Sequence, residues 1–427
     1  MSVCTFKSLL SANDSHTQDF LEWLGTFQAS YGTYHGYVCT VLCTYGILAN
    51  CVNIVVLTRP AMRTAVNVLL AAIALCDMGT MATYLVYVMH FQVIGAPCHS
   101  QLYSFGWLHF ILFHQHWSIL LHTTSLWLAV LLALLRLLVI RRCRVAATLL
   151  LSRTIAKLIL GICVTLLLCL IPIGLLNNVV EVEPETCGSA VNQTAYNVVL
   201  SDLAMLHDCF LLRFVLWISG VVFKLIPCVL LTALICGLLY SYHKAQKRNL
   251  RILGRNSMSA AFQVEKDRRE SYLMSTRRRI NSNPGPSSLG VVQQQQHSTA
   301  FTSRTTAMLT LILLIFLLTE TPQAVVAVLG GMYPDDMYHV IYPLLGDMFD
   351  LLSLINSSVN FILYCLMSSK FRATFKEILC SSQRRKEAER RRRRRQMISQ
   401  ALGLNIQLTI LATPKFKRYA IWRTRSD

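Results

Sequence analysis

Charged residues are scarce in this chain: they make up 14% of its 427 residues, whereas hydrophobic residues make up 54%. This composition excludes a set of water-soluble domains and predicts a polytopic membrane protein. Acidic residues are the scarcer sign, 21 against 40 basic residues, which leaves a net charge of +19. In a membrane protein, such an excess indicates basic segments that attract anionic lipids and does not indicate nucleic-acid binding.

Two further features are missing. Residues 1–36 contain no short apolar segment typical of a cleavable signal, so the first span is expected to insert itself. No internal repeat is apparent, which counts against a transporter built from inverted halves. A channel would need a continuous polar stripe on several helices, but the sequence offers only a local polar cluster around Asp77.

Apolar stretches long enough to cross a bilayer predict seven spans. They run approximately from Tyr37 to Leu57, Asn67 to His90, Phe105 to Ile140, Ile155 to Leu176, Phe210 to Tyr240, Thr305 to Gly330 and Tyr338 to Met367. Basic residues concentrate on one set of loops, which predicts an extracellular N-terminus and a cytoplasmic C-terminus. The predicted fold is therefore an all-α seven-helix bundle over residues 37–367, between an N-terminal segment (1–36) and a tail (368–427).

Two basic segments lie on the predicted cytoplasmic side. Residues 241–304 combine basic residues with a Pro/Gly cluster and a glutamine run, so this long loop is expected to be largely disordered. After the last span, the Phe371-to-Phe375 stretch predicts a short amphipathic helix 8 on the inner membrane surface. Cys380 follows as a candidate for lipidation, and six arginines (Arg390–Arg395) predict binding to anionic lipid in preference to a nuclear import signal.

Outward-facing cysteines predict a disulfide. The candidates are Cys4, Cys98, Cys187 and Cys209. We favour Cys98 with Cys187, because that bond would pin the acidic loop after the fourth span over the bundle opening. Pairing with Cys4 or Cys209 stays open at this point.

The same predicted face carries two glycosylation sequons. They are Asn13-Asp14-Ser15 and Asn192-Gln193-Thr194. Each is a weak pattern on its own, and both agree with an extracellular N-terminus.

Polar residues inside predicted spans mark function, because they are costly in hydrocarbon. Asp77 in span two needs partners, and other spans offer Asn50, Ser125, Asn356 and Asn360. Hard oxygen donors of this kind suit a sodium ion or a water molecule at Asp77, Ser125, Asn356 and Asn360. The alternative is a hydrogen-bonded cluster that fixes helix register. No other cofactor is expected.

Span six contains Glu320 close to Pro322, and span five contains Lys224 three residues before Pro227. Proline removes a backbone hydrogen bond and kinks a helix, so Pro322 is a candidate hinge. We predict that Lys224 and Glu320 pair, because neither charge is stable alone in lipid. Alternatively, Glu320 faces the ligand cavity and binds a cationic ligand.

Span three contributes two further candidates. Arg136 is a single cation at its inner end, and it either extends to the headgroups or acts as a two-state contact for a cytoplasmic partner. Of the histidines in this span, His122 is predicted to be a polar residue of the core. His109, His114, His116 and His122 do not share one helix face in pairs, which argues against a metal site.

These residues together resemble the rhodopsin-like class of G-protein-coupled receptors over Tyr37 to Cys380. The landmarks are Asn50, Asp77, Arg136, Pro227, Pro322, and Asn360 with Tyr364. More narrowly, the segments Thr58–Thr64, His122-Thr123 with Trp127-Leu128, Lys224–Cys228, Thr319–Gln323 and Asn360–Tyr364 resemble invertebrate myosuppressin and FMRFamide-like peptide receptors. The nematode serpentine receptors of class w share this pattern.

The chain departs from the class in places. Leu135 replaces the acidic neighbour of Arg136, which implies a weaker restraint on the resting state. Glu320 replaces the usual tryptophan of span six, and Phe361 stands where the class has proline.

The resemblance implies a plasma-membrane receptor, not an enzyme, that couples to a heterotrimeric G protein and to arrestin. The expected G protein is of the inhibitory (Gi/o) class. Its expected ligand is a short amidated neuropeptide that ends in Arg-Phe. Charge complementarity supports this ligand, because Asp347 and Asp350 lie one helical turn apart near the outer end of span seven. The predicted ligand-binding residues are thus Glu320, Asp347, Asp350, Lys224 and His122. A small-molecule chemoreceptor of the same fold is the alternative.

Overall fold

The structure is a computed structural model that describes residues 4, 6–10, 14–95, 102–141, 152–187, 190–244, 246–247, 251, 262, 288–380 and 397. Within these ranges, seven helices are long and apolar enough to cross a membrane, as the sequence predicts. In chain order, helices 1 to 7 are Ser15–Leu57, Ala65–Val88, Phe105–Ile140, Ser152–Gly174, Asp202–Lys244, Ser288–Met332 and Tyr342–Met367.

Shorter elements connect these helices. A 3₁₀ turn, Pro60–Met62, precedes helix 2, and the π-helical turn Met89–Ile94 follows it. Pro334–Asp336 and a π-helical turn, Met337–Ile341, lead into helix 7. A separate helical segment, 369–380, follows the bundle and exposes Cys380, and the predicted Arg390–Arg395 run lies outside the described residues.

Helix 1 is far longer than the predicted first span. It begins at Ser15, where the Asp14 carboxylate caps the helix by accepting from the Thr17 backbone N–H and hydroxyl. Its 43 residues correspond to about 64 Å, roughly twice the thickness of the hydrocarbon core. The first half therefore extends beyond the membrane, where composition alone gives no span signal.

Helix 3 supplies the centre of the bundle. Leu126, Leu128, Leu132 and Leu135 are all fully buried. Helix 4 packs mainly through Leu166, Leu170 and Ile173, and it turns Leu160, Leu168 and Ile171 outward. Because lipid tails are as apolar as leucine, these outward side chains suit a membrane environment.

Helices 5 and 6 approach closely at Gly220. A Cβ atom there would lie 2.7 Å from the Ala327 carbonyl oxygen, so only glycine fits. Gly220 belongs to a π-helical stretch, Ile218–Leu225, that interrupts helix 5. Lys224 lies near the end of this stretch and reaches helix 6.

The connection between helices 4 and 5 is an antiparallel hairpin of β1 (Asn177–Cys187) and β2 (Ala190–Leu200). Its pairing runs from Asn177 opposite Leu200 to Cys187 opposite Ala190. The two-residue Gly188-Ser189 sequence between the strands is a recognised hairpin signal that our sequence analysis did not use. We call the bundle end formed by residues 4 and 6–10, this hairpin and Pro334–Asp336 the mouth.

Candidate functional site

Asp347 of helix 7 faces helix 1 near the mouth. Its Oδ1 atom lies 3.6 Å from His35 Nε2, and its Oδ2 accepts a hydrogen bond from Gln28 Nε2 at 3.1 Å. The His35 side chain is almost fully buried, whereas that of Asp347 is 24% exposed. The carboxylate is thus held by helix 1 yet remains accessible.

Asp350 lies one turn deeper on helix 7 and faces helix 2. Tyr84, which is buried, donates its hydroxyl to Asp350 Oδ2 at 2.9 Å. Tyr84 Oη is also 3.0 Å from His35 Nε2, so one polar chain joins helices 1, 2 and 7. Although it points into the bundle, Asp350 is exposed, which means that it lines an open cavity. We call the group of His35, Tyr84, Asp347 and Asp350 the acidic cavity.

Lys224 and Glu320 are in contact, as the sequence predicts. Lys224 Nζ lies 2.8 Å from Glu320 Oε2, and the Glu320 side chain is completely buried. His122 Nε2 donates to the same oxygen at 2.9 Å. Two donors on helices 3 and 5 therefore converge on one carboxylate of helix 6, close to Pro322.

Gln323 extends this contact to helix 7. Its Oε1 accepts from Lys224 Nζ at 2.8 Å, and its Nε2 donates to the Phe349 carbonyl at 2.7 Å and to Ser353 Oγ at 3.1 Å. We call His122, Lys224, Glu320 and Gln323 the polar clasp. The Glu320 side chain has no exposed surface in this arrangement of the helices, and its Oε1 has no hydrogen-bond partner among the described residues. Direct contact of Glu320 with a ligand stays a prediction.

Asp77 gathers polar partners from helices 3 and 7. Three side-chain groups donate to the Asp77 carboxylate, each at 3.3 Å: Ser125 Oγ, Ser357 Oγ and Asn360 Nδ2. Asn50 donates to the Ser357 carbonyl at 3.0 Å and thereby joins helix 1 to the cluster.

The cluster differs from the prediction in one member. Asn356 is buried but is not bonded to the Asp77 carboxylate in the described part of the chain, and Ser357 takes that place. On a helix, adjacent positions point about 100° apart, so sequence alone does not decide which of two neighbours faces Asp77.

The opposite end of the bundle holds Arg136 and Tyr364. Arg136 is half-buried, and its Nε atom has no hydrogen-bond partner among the described residues. Tyr364 is buried at the end of helix 7. The Arg136 guanidinium thus keeps one unused donor in this arrangement of the helices, and its two-state contact with a cytoplasmic partner stays a prediction.

The remaining histidines of helix 3 have separate partners. His109 and His116 bond to carbonyl groups of their own helix, at Phe105 and Leu112, and His114 bonds to Thr83 on helix 2. With His122 in the polar clasp, the rings point to four different places.

Residues 4 and 6–10 form an N-terminal strap across the mouth. Cys4 forms a disulfide with Cys209 of helix 5, in a kink that spans Leu206 to Cys209. The Arg213 guanidinium lies 4.8 Å from the centre of the Phe6 ring, and it also pairs with Asp208 at 3.0 Å. The start of the strap is thus fixed to helix 5.

The other end of the strap is fixed beside helix 7. Ser8 Oγ lies 3.1 Å and 3.2 Å from the two carboxylate oxygens of Asp336, and the Leu9 and Leu10 backbone N–H groups also donate to this carboxylate. Asp336 is buried, whereas its neighbour Asp335 is exposed. Sequence analysis missed this role of Asp336, because nothing local to Asp336 indicates a partner more than 300 residues away.

Three sequence predictions fall on residues whose side chains are not described. Cys98 lies outside the described residues, so the predicted bond to Cys187 stays a prediction. The sequon residue Asn13 also lies outside them, and of Asn192 only the backbone, in β2, is described.

The strap disulfide makes a testable prediction. Cys4→Ser and Cys209→Ser should each lower surface expression or ligand potency, and the double variant should be no worse than either single, because one bond can be lost only once. Cys51→Ser, at an exposed free cysteine on helix 1, is the matched control. Additive losses, measured by surface staining and dose–response curves, would show that the two cysteines act separately.

Comparison with known proteins gives the family. Residues 37–274 and 288–382 match the family described as serpentine type 7TM GPCR chemoreceptor Srw. The G-protein coupled receptor dmsr-1 of Caenorhabditis elegans is 34% identical over 355 residues, which cover 82% of this chain and 68% of the relative. Sex peptide receptor-related protein 2 of the same organism is 24% identical over 367 residues, 81% of this chain and 71% of the relative. With seven membrane-spanning helices, this chain belongs to the Srw family of G-protein-coupled receptors.

Proposed function

We propose that this receptor binds a short amidated peptide ending in Arg-Phe, with the mouth outside the plasma membrane. One observation carries the proposal: Asp350 points into the bundle and is still exposed. Its carboxylate is therefore accessible in an open cavity, one helical turn below Asp347. An accessible carboxylate can form charge-assisted hydrogen bonds to a cationic group of a ligand. One relative is, in addition, named for its relation to a sex peptide receptor.

The polar clasp supports a route from the cavity to the G protein. It joins helices 3, 5, 6 and 7 beside Pro322, so a ligand that shifts helix 7 also changes the contacts of helix 6. Population of a second arrangement would move helix 6 about Pro322 and open a pocket near Arg136 for the G protein. Arrestin would use the same cytoplasmic face, and anionic lipids would bind the basic tail.

The test is activation of G proteins in cells that express the chain. Amidated peptides ending in Arg-Phe should activate it, and the same peptides with a free C-terminal carboxylate should be much weaker, because that added negative charge meets Asp347 and Asp350. Activation by small metabolites and not by any peptide would favour a chemoreceptor, as the family description suggests.

We further propose that the Asp77 cluster holds a sodium ion. One carboxylate and two hydroxyls, from Ser125 and Ser357, are hard oxygen donors that suit a small cation. Exchange of sodium for potassium should change agonist affinity in the native receptor and leave Asp77→Asn unaffected. An equal response of both receptors in radioligand binding would leave the cluster as a purely structural hydrogen-bond network.

A further inference from the structure

The part of helix 1 that extends beyond the membrane carries a row of stacked aromatic rings. The rings belong, in chain order, to Phe20, Trp23, Phe27 and Tyr31. The centres of successive rings lie 6.4, 6.1 and 6.0 Å apart, with interplanar angles of 14° to 22°. Their spacing of three or four residues places them along one side of the helix. We call them the aromatic ladder.

The ladder is not part of a protein core. Trp23 is 62% exposed and Phe20 is 50% exposed, whereas Leu24 is the buried side chain of this stretch. Trp23 also lies about 21 Å along the helix from Tyr37, where the apolar run begins, so it stands clear of the hydrocarbon. Large aromatic rings that remain in water at this density are typical of a surface that binds a partner.

The foot of the ladder joins the acidic cavity. The Tyr31 hydroxyl lies 2.9 Å from His35 Nδ1, and His35 contacts Asp347 through its other nitrogen. Gln28, between Phe27 and Tyr31 in sequence, donates to Asp347 as well. The side chains of the aromatic ladder and the carboxylates of helix 7 therefore border one continuous surface. The part of this surface formed by helix 1 is apolar and aromatic, and the part formed by helix 7 is acidic.

We infer that this surface is the docking track for a short peptide that carries an aromatic residue followed by a basic one. The inference rests on the proposed function and adds the part of the ligand that lies outside the cavity. The aromatic residue stacks on Trp23 and Phe27, and the basic residue reaches Asp347 and Asp350. The charge of the cavity selects a cationic peptide over an acidic one.

The dimensions of the track set the length of the peptide. The distance along the helix from Trp23 to Gln28, which contacts Asp347, is about 7.5 Å, and the two extended residue steps from the aromatic residue to the arginine span about 7 Å. An amidated tetrapeptide of the type aromatic-x-Arg-Phe therefore places its first ring on the ladder while its arginine is at the cavity. A dipeptide, Arg-Phe-amide, reaches only the cavity.

The experiment compares two peptides on four receptors. Phe-Met-Arg-Phe-amide and Ala-Met-Arg-Phe-amide are applied to the native chain, Trp23→Ala, Trp23→Phe and Thr33→Ala. Thr33 is exposed on another side of helix 1, and its hydroxyl bonds to its own helix. Trp23→Ala should lower the potency of the first peptide by about five- to tenfold, the value of one aromatic pair, with little change for the second. Trp23→Phe should retain most of the potency, and Thr33→Ala all of it.

The outcomes separate this inference from the proposed function. If the first peptide activates the native receptor and Trp23→Ala loses no more than Thr33→Ala, the docking track is wrong and the peptide receptor stands. If neither peptide binds or activates the native receptor, both proposals fall. A benzoylphenylalanine in the first peptide position gives an independent readout: the track requires cross-links to residues 20–31, and cross-links confined to other helices overturn it.

Discussion

Lys224→Met and Glu320→Gln, made separately, are each expected to reduce surface expression strongly or to change basal signalling, and the double variant is expected to recover most of the loss. The reason is desolvation. Glu320 is completely buried, and Lys224 is mostly so. Removal of one partner leaves Glu320 with His122 alone, or Lys224 with Gln323 alone, in a low-dielectric site, and breaking a buried ion pair costs about 3–5 kcal/mol. Removal of both leaves no such charge.

The chain provides a matched control for this pair. Arg213 and Asp208 form an ion pair of similar length, 3.0 Å, but their side chains are 39% and 64% exposed. Asp208→Asn should therefore have a small effect, since exposed pairs contribute about 0–1 kcal/mol. Surface expression and basal G-protein activity are measured for the two single variants, their double variant and Asp208→Asn. A double Lys224/Glu320 variant as impaired as the sum of its singles would mean that the two charges do not depend on each other.

Asp350→Asn is expected to weaken an arginine-containing peptide by about 10- to 100-fold, because a charge-assisted hydrogen bond is worth about 1.5–3 kcal/mol. The substitution keeps the size of the side chain and an oxygen for the Tyr84 hydroxyl, so the cavity should stay intact. A peptide with citrulline in place of arginine has no charge to lose and should be affected far less. Competition binding with both peptides measures this difference.

Asp347→Asn is the control for Asp350→Asn. The Asp347 carboxylate already contacts His35 and Gln28 near the mouth. Asp347→Asn should therefore weaken binding of the arginine peptide less than Asp350→Asn does. Equal losses for the arginine and citrulline peptides at Asp350→Asn would assign Asp350 to the support of Tyr84 and not to the ligand.

The fold was predictable because the membrane simplifies the problem. About twenty apolar residues are needed for each span, and all seven spans were located from this rule alone. Buried charges were also informative: Lys224 and Glu320 have few partners available in lipid, so their contact could be inferred from two isolated residues in apolar runs. His122 could not be assigned to the polar clasp from the sequence, because the sequence does not give the rotation of helix 3 about its own axis.

The mouth was not predictable in the same way. Helix 1 beyond the membrane contains no continuous apolar run, and the strap depends on contacts between residues far apart, such as Ser8 and Asp336. Cysteine positions allowed several pairings, and the bond from Cys4 to Cys209 was one that the sequence left open. Water can form hydrogen bonds with the polar groups of the mouth. The amino-acid composition of the mouth therefore constrains its structure far less than the composition of the spans constrains theirs in lipid.

The strap disulfide also has a consequence for how the receptor is made. Its two cysteines are 205 residues apart, so the bond cannot close until the start of helix 5 has been synthesised. At about 5–20 residues per second, Cys4 waits roughly 10 to 40 s as a free thiol during translation. With the mouth outside the plasma membrane, as proposed above, Cys4 is open in that interval to capture by other cysteines or by oxidoreductases of the secretory pathway. Closure of this bond is an oxidation, and the contacts of the strap with Asp336 can form only later, when residue 336 has been synthesised. The yield of competent receptor therefore depends on both steps.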